Sequence, residues 1–183
     1  MSAVLLLALN IFRQSAREFV AACAFAVPAL IGRWLLQIAP GDGLTLFVLV
    51  CWIVFLAFAV VIILRYILTT KSITYDTISG AICGYLLFGV MYAFAYAIID
   101  FFYPGSLFVR SHLLPVNVPA KLALGRYVYF SFVTLASLGY GDITPLSSPA
   151  CAFSAIEGIA GQFYIAVLIA RLVSLHSSKW GNG

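Results

Sequence analysis

The chain has 183 residues, of which 64% are apolar and only 9% charged, where a soluble domain carries about 45–50% apolar and about 25% charged residues. A soluble interior of this size cannot hide so many apolar side chains, so lipid is the expected solvent. The net charge is only +4 and the basic residues are scattered, which excludes a nucleic-acid surface of the kind a charge cluster would announce.

At the N-terminus no positive charge precedes the apolar stretch 3–9, and Arg13 and Arg17 follow it, a poor fit to a secretory leader. An interfacial helix over 1–18 on the cytoplasmic face is expected, with its arginines at lipid headgroups and Leu5, Leu6 and Leu9 turned inward. A cleaved leader is the alternative. Three apolar runs then follow, at 19–38, 44–68 and 78–102, each long enough to cross the roughly 30 Å hydrocarbon layer at about 1.5 Å per residue. The turn Ala39-Pro40-Gly41-Asp42-Gly43 is so short that the first two runs must form an antiparallel hairpin. Cys23, Cys51, Cys83 and Cys151 all lie in apolar stretches without metal-ligand spacing and are expected to be small buried hydrophobes.

A more polar connection through Arg110, His112, Pro115, Pro119 and Lys121 precedes a break in the pattern. Residues 126–137 are apolar, but a helix of that length reaches only about 18 Å. It runs into Gly139-Tyr140-Gly141-Asp142, which cannot continue a helix. Pro149 suits the first turn of a last helix, expected over 149–175. A half-crossing helix, an irregular strand and a return form a re-entrant loop. Irregular backbone at membrane depth survives only where protein buries it or water wets it, so the loop predicts a pore or cavity.

Thr134-Leu135-Ala136-Ser137-Leu138-Gly139-Tyr140-Gly141-Asp142, preceded by the aromatic half-helix with Tyr127, Tyr129, Phe130 and Phe132, resembles the signature of small bacterial potassium channels. The resemblance implies an all-α membrane protein with four transmembrane helices, a re-entrant pore helix and a filter per subunit, closed as a homotetramer by cyclic symmetry. It divides the chain into an interfacial segment 1–18, a scaffold hairpin 19–77, a pore module 78–176 and a cytoplasmic tail 177–183. It also implies K+ bound by backbone carbonyls of Ser137, Leu138, Gly139 and Tyr140, with Gly141 completing the filter. Carbonyls replace a hydration shell without a full negative charge, and Gly139 and Gly141 allow the backbone angles this needs. By the resemblance, the Ser137 hydroxyl adds the innermost ring and Tyr140 points outward against neighbouring pore helices. A plain glycine turn between helices is the bland alternative.

Two residues depart from the family pattern, Ser137 for threonine and Leu138 for valine. Serine keeps the oxygen but loses the methyl that restricts the rotamer, so the innermost site is expected to be looser. Val133 stands where some relatives place a glutamate, leaving Asp142 to bond an aromatic hydroxyl such as Tyr127 or Tyr129, or to act as an outer-mouth charge. Thr134, Asp142 and Glu157 are the expected filter supports. Glu157 is an expensive acid in a membrane helix, read either as a brace through Ser131 or Thr134 or as a gating proton site. Gly158 and Gly161 serve as a hinge or as a close helix contact. Ile165, Leu168 and Leu172 share one helical face and are the expected lower gate, closing by excluding water.

Position 44–68 carries Arg65 alone, not the arginine ladder of a voltage sensor, so the leading helices read as a passive scaffold or a docking site for a regulatory partner. Basic residues weakly favour a multi-pass cell-membrane protein with both termini cytoplasmic. A weakly selective cation channel is the nearer alternative. The remoter one is an intramembrane aspartyl protease, which Tyr75-Asp76, Gly139-Tyr140-Gly141-Asp142 and Pro28-Ala29-Leu30 also resemble. That chemistry needs two carboxylates sharing a proton, whereas Asp76 and Asp142 are expected on opposite faces of the bilayer.

Overall fold

The computed structural model describes residues 27–28, 30–32, 34–36, 41–70, 74–109 and 120–180, with backbone alone at 120–123 and 175–180. The expected interfacial helix over 1–18, Cys23 and residues 181–183 lie outside the described residues, as does most of the first expected span; its described positions between 27 and 36 are helical. Among the described residues, three helices are long and apolar enough to cross a membrane.

Helix α1 (Asp42–Thr69) buries Val48, Cys51, Trp52, Phe55, Leu56, Ala59, Val60, Ile63 and Ile67, a stripe at the three- and four-residue steps of one helical face. Its opposite face is also apolar, as lipid requires, so composition alone does not reveal which side packs. The helix ends where Thr70 turns extended and donates its N–H to Tyr66 O at 3.0 Å. Helix α2 (Tyr75–Phe102) starts on Thr74, whose hydroxyl accepts from Thr77 N at 3.3 Å, satisfying one of the free donors of a first turn. Trp52, early in α1, stacks on Phe94, late in α2, with ring centroids 5.7 Å apart. The pair is therefore an antiparallel hairpin.

The short helix α3 (Ala120–Leu135) begins earlier than expected and ends before Ser137. Its 16 residues reach about 24 Å, still short of a crossing. Helix α4 (Ser148–Trp180) is capped by Ser147, whose hydroxyl accepts from Ala150 N at 3.3 Å, and carries Pro149 in its first turn. It passes the expected limit at 175 and continues to Trp180. Helix α2 lies at the centre, with α1 on one side and α3 and α4 on the other.

Two short strands add what periodicity did not predict. β1 (Leu107–Val109) pairs antiparallel with β2 (Ile143–Pro145), in the register Leu107–Pro145, Phe108–Thr144 and Val109–Ile143. Three residues carry no readable alternation, so only the tertiary approach of the two loops creates them. One further expectation is corrected. Cys51 is buried and Cys83 half-buried, but Cys151 is exposed, because the start of α4 has chain on one side only.

Candidate functional site

The last turn of α3 hands the backbone directly to the expected filter. Ser137 N donates to Thr134 O at 2.9 Å and Leu138 N donates to Val133 O at 2.9 Å, the paired bonds of a Schellman cap. Ser137 occupies the left-handed position of that cap, with φ 56°, where glycine is the usual residue. Gly139 and Gly141 follow at φ 58° and 73°, while Leu138 and Tyr140 between them are not left-handed. A regular strand points successive carbonyls to opposite sides. Alternating left-handed residues turn every second peptide over and bring the carbonyls to one side. The negative end of the α3 dipole lies at the same place and favours a cation there.

Two elements, α2 and α4, close on this turn. Tyr85 of α2 donates to Leu135 O at 3.2 Å. Gly161 of α4 lies so close that a Cβ there would stand 2.5 Å from Leu135 O, so close helix packing by itself accounts for that glycine. Gly158 is less crowded, with Thr134 O at 3.8 Å from the same construction. Beside them Gln162 Nε2 donates to Ser137 Oγ at 2.9 Å.

Glu157 is fully buried where α2, α3 and α4 meet. Tyr96 donates to its Oε2 at 2.6 Å, and Ser131 is hydrogen-bonded to its Oε1. Ser131 Oγ also donates to Gly89 O at 2.7 Å. Of the two partners expected for Glu157, Ser131 is the one in contact. Tyr96 had no sequence signal, since an aromatic in an apolar helix reads as packing.

At the other end of the strand, Tyr129 donates to Asp142 Oδ2 at 2.5 Å and Ile143 N donates to Asp142 Oδ1 at 2.9 Å. Tyr127 is not the partner of Asp142. It donates to Asp100 Oδ2 at 2.6 Å, and Asp100 Oδ1 also accepts from Gly105 N and Ser106 N, each at 3.0 Å. Asp100 therefore closes the turn after α2 and fastens it to α3. Nothing in its position at the end of an apolar run signals this role. Ser106, itself buried, continues the fastening by accepting Leu146 N on its carbonyl at 2.8 Å and the Ser147 hydroxyl at 3.0 Å.

The bond to Asp142, chiefly, pushes the Tyr129 phenol from 10.0 up to about 12. A raised value means the bond is fully present below pH 10.0 and is lost as the pH rises through about 12. Absorbance titration of the wild type against Tyr129→Phe is expected to show one tyrosinate fewer in that window in the variant. A Tyr129 titrating with the exposed tyrosines would contradict the contact.

Helix α4 is largely unpartnered among the described residues. Only 17% of its most apolar stretch is buried, against 44% for each of α1 and α2. The buried positions Ala150, Glu157, Gly161 and Tyr164 form one stripe, and Leu168 extends it by packing against the α1–α2 core. Leu168 therefore faces the chain's own scaffold, whereas Ile165 is exposed and Leu172 half-buried. The face bearing Gln162 continues instead through Ala166, Ile169 and Val173, all exposed. Leu138 and Tyr140 are also exposed, at 54% and 65%. Asp76, in the first turn of α2, and Asp142, beside the strands that follow its last turn, are separated by the length of that helix, about 40 Å. They cannot share a proton.

The family model described as "Ion channel" matches residues 47–177, a segment that holds most of α1, all of α2 and α3, the loop with Gly139 and Gly141, and most of α4. No curated protein and no solved structure matches the chain.

Proposed function

The chain belongs to the ion channel family, and from that premise we propose that it forms a potassium-selective pore of four identical subunits in the cell membrane. The observation that carries this reading is the left-handed backbone at Ser137, Gly139 and Gly141, alternating with Leu138 and Tyr140 at the end of a half-crossing helix. Four such strands around one axis offer stacked rings of carbonyls from Ser137, Leu138, Gly139 and Tyr140 to a dehydrated K+ ion. Thr134, Asp142 and Glu157 support the filter, through the cap, the outer mouth and the helix junction respectively.

The exposure of Leu138, Tyr140 and the outer face of α4 favours an oligomer, because those side chains have no cover among the described residues. Cyclic assembly places the Gln162 face of α4 along the path. A dewetting gate then falls on Ile169 and Val173, with Ile165 at its edge. Both termini lie in the cytoplasm, and α1 serves α2 as a brace within the membrane.

Purified full-length protein in liposomes, given an outward K+ gradient, is expected to release K+ and to be blocked by barium. Equal reversal potentials in K+ and Na+ gradients would defeat potassium selectivity and favour a weakly selective cation channel, the reading to which the unbranched Ser137 lends itself.

A further inference from the structure

The innermost ring of the proposed filter is made by a serine, whose side chain has three accessible rotamers and no branch at Cβ to restrict them. Something else must hold its oxygen, and the structure contains a candidate. We propose that Gln162 is a positioning residue for the innermost cation site, fixing the Ser137 hydroxyl so that four subunits present it alike. This rests on the potassium-channel reading above.

The geometry is specific. The α3 cap fixes the Ser137 backbone through the N–H groups of Ser137 and Leu138, but neither bond touches its side chain. Gln162 Nε2 does, at 2.9 Å, from a helix whose own position is set by the close approach of Gly161 to Leu135. Because the amide donates, the Ser137 oxygen accepts one hydrogen bond and keeps a second lone pair for a cation. The carboxamide is also uncharged. An acid at this place would add a ring of negative charge able to trap cations, whereas glutamine orients without trapping. Both residues are exposed among the described residues, so no packing among them explains why a long polar side chain stands on an otherwise apolar face with Ala166, Ile169 and Val173.

The test is a double-mutant cycle read as the K+/Na+ permeability ratio of the full-length protein in lipid bilayers. Gln162→Leu is expected to lower the ratio about fivefold, the equivalent of one neutral hydrogen bond. In a Ser137→Ala background the same substitution is expected to change nothing further, since its partner is already gone. Gln162→Asn keeps the amide but falls one methylene short, and is expected to behave as Gln162→Leu does. It also serves should the leucine variant fail to assemble. An unchanged ratio in a conducting Gln162 variant overturns the inference and leaves the channel reading standing. Additive losses in the double variant overturn it as well. Wild-type protein that passes no K+ overturns the channel reading itself.

Discussion

Replacing Glu157 by alanine is expected to destabilise the protein by roughly 2–5 kcal/mol, through lost buried hydrogen bonds and the cavity left behind, while Glu157→Gln is expected to be close to neutral. The difference follows from counting protons. Ser131 has one hydroxyl proton, and the Gly89 carbonyl beside it can only accept. Both Ser131 contacts are hydrogen bonds at once if the carboxyl carries the proton, and its other oxygen accepts from Tyr96. A glutamine reproduces that pattern atom for atom, donating with its amide and accepting with its carbonyl. Alanine leaves the Tyr96 hydroxyl buried without this acceptor, and a domain stable by about 5–15 kcal/mol feels such a loss strongly. Denaturant titration in detergent micelles measures both variants. A glutamine variant as unstable as the alanine one would show that Glu157 is ionised and that its charge is essential.

Gly141→Ala is expected to abolish K+ flux in the liposome assay. A Cβ at Gly141 meets nothing within 4 Å, so the residue is not kept small by crowding within its own chain. The obstacle is its φ of 73°, where an L side chain costs about 1–2 kcal/mol. In the proposed ring of four the cost is incurred four times, about 4–8 kcal/mol on the same scale, enough to displace the proposed filter backbone from its shape. Gly125→Ala supplies the control. That glycine is an exposed position within α3, also without neighbours within 4 Å and without a positive φ, and alanine there is expected to leave flux intact. Undiminished flux in Gly141→Ala would remove the alternating backbone as the basis of conduction.

The helices were legible because length and apolarity decide them. α1, α2 and α4 fall within a few residues of the expected 44–68, 78–102 and 149–175, and α3 is short for the reason its sequence stops being helical. The turn at Gly139 and Gly141 was legible too, since glycine pairs punctuate a chain wherever they occur. What escaped depends on approach between distant segments. Asp100 binds groups that arrive from the following turn and from Tyr127, and β1 and β2 exist only as each other's partners. The facing of α4 escaped for a different reason. Its helix is apolar all round, so the three-to-four-residue period that links Ile165, Leu168 and Leu172 cannot tell scaffold from pore or lipid. Only the contacts of Leu168 separate them. Gln162 carries no sequence signal of its own, because one uncharged polar side chain in an apolar helix does not reveal which way it faces.

Near the far end of α4, Arg171 Nη2 donates to Thr70 O at 2.9 Å, the carbonyl just past the end of α1, where the helix dipole welcomes a cation. A lever is thereby pinned at its free end to the hairpin. An axial shift of α1 relative to α4 must stretch or break that link, so this hydrogen bond couples the end of α1 to the last turns of α4.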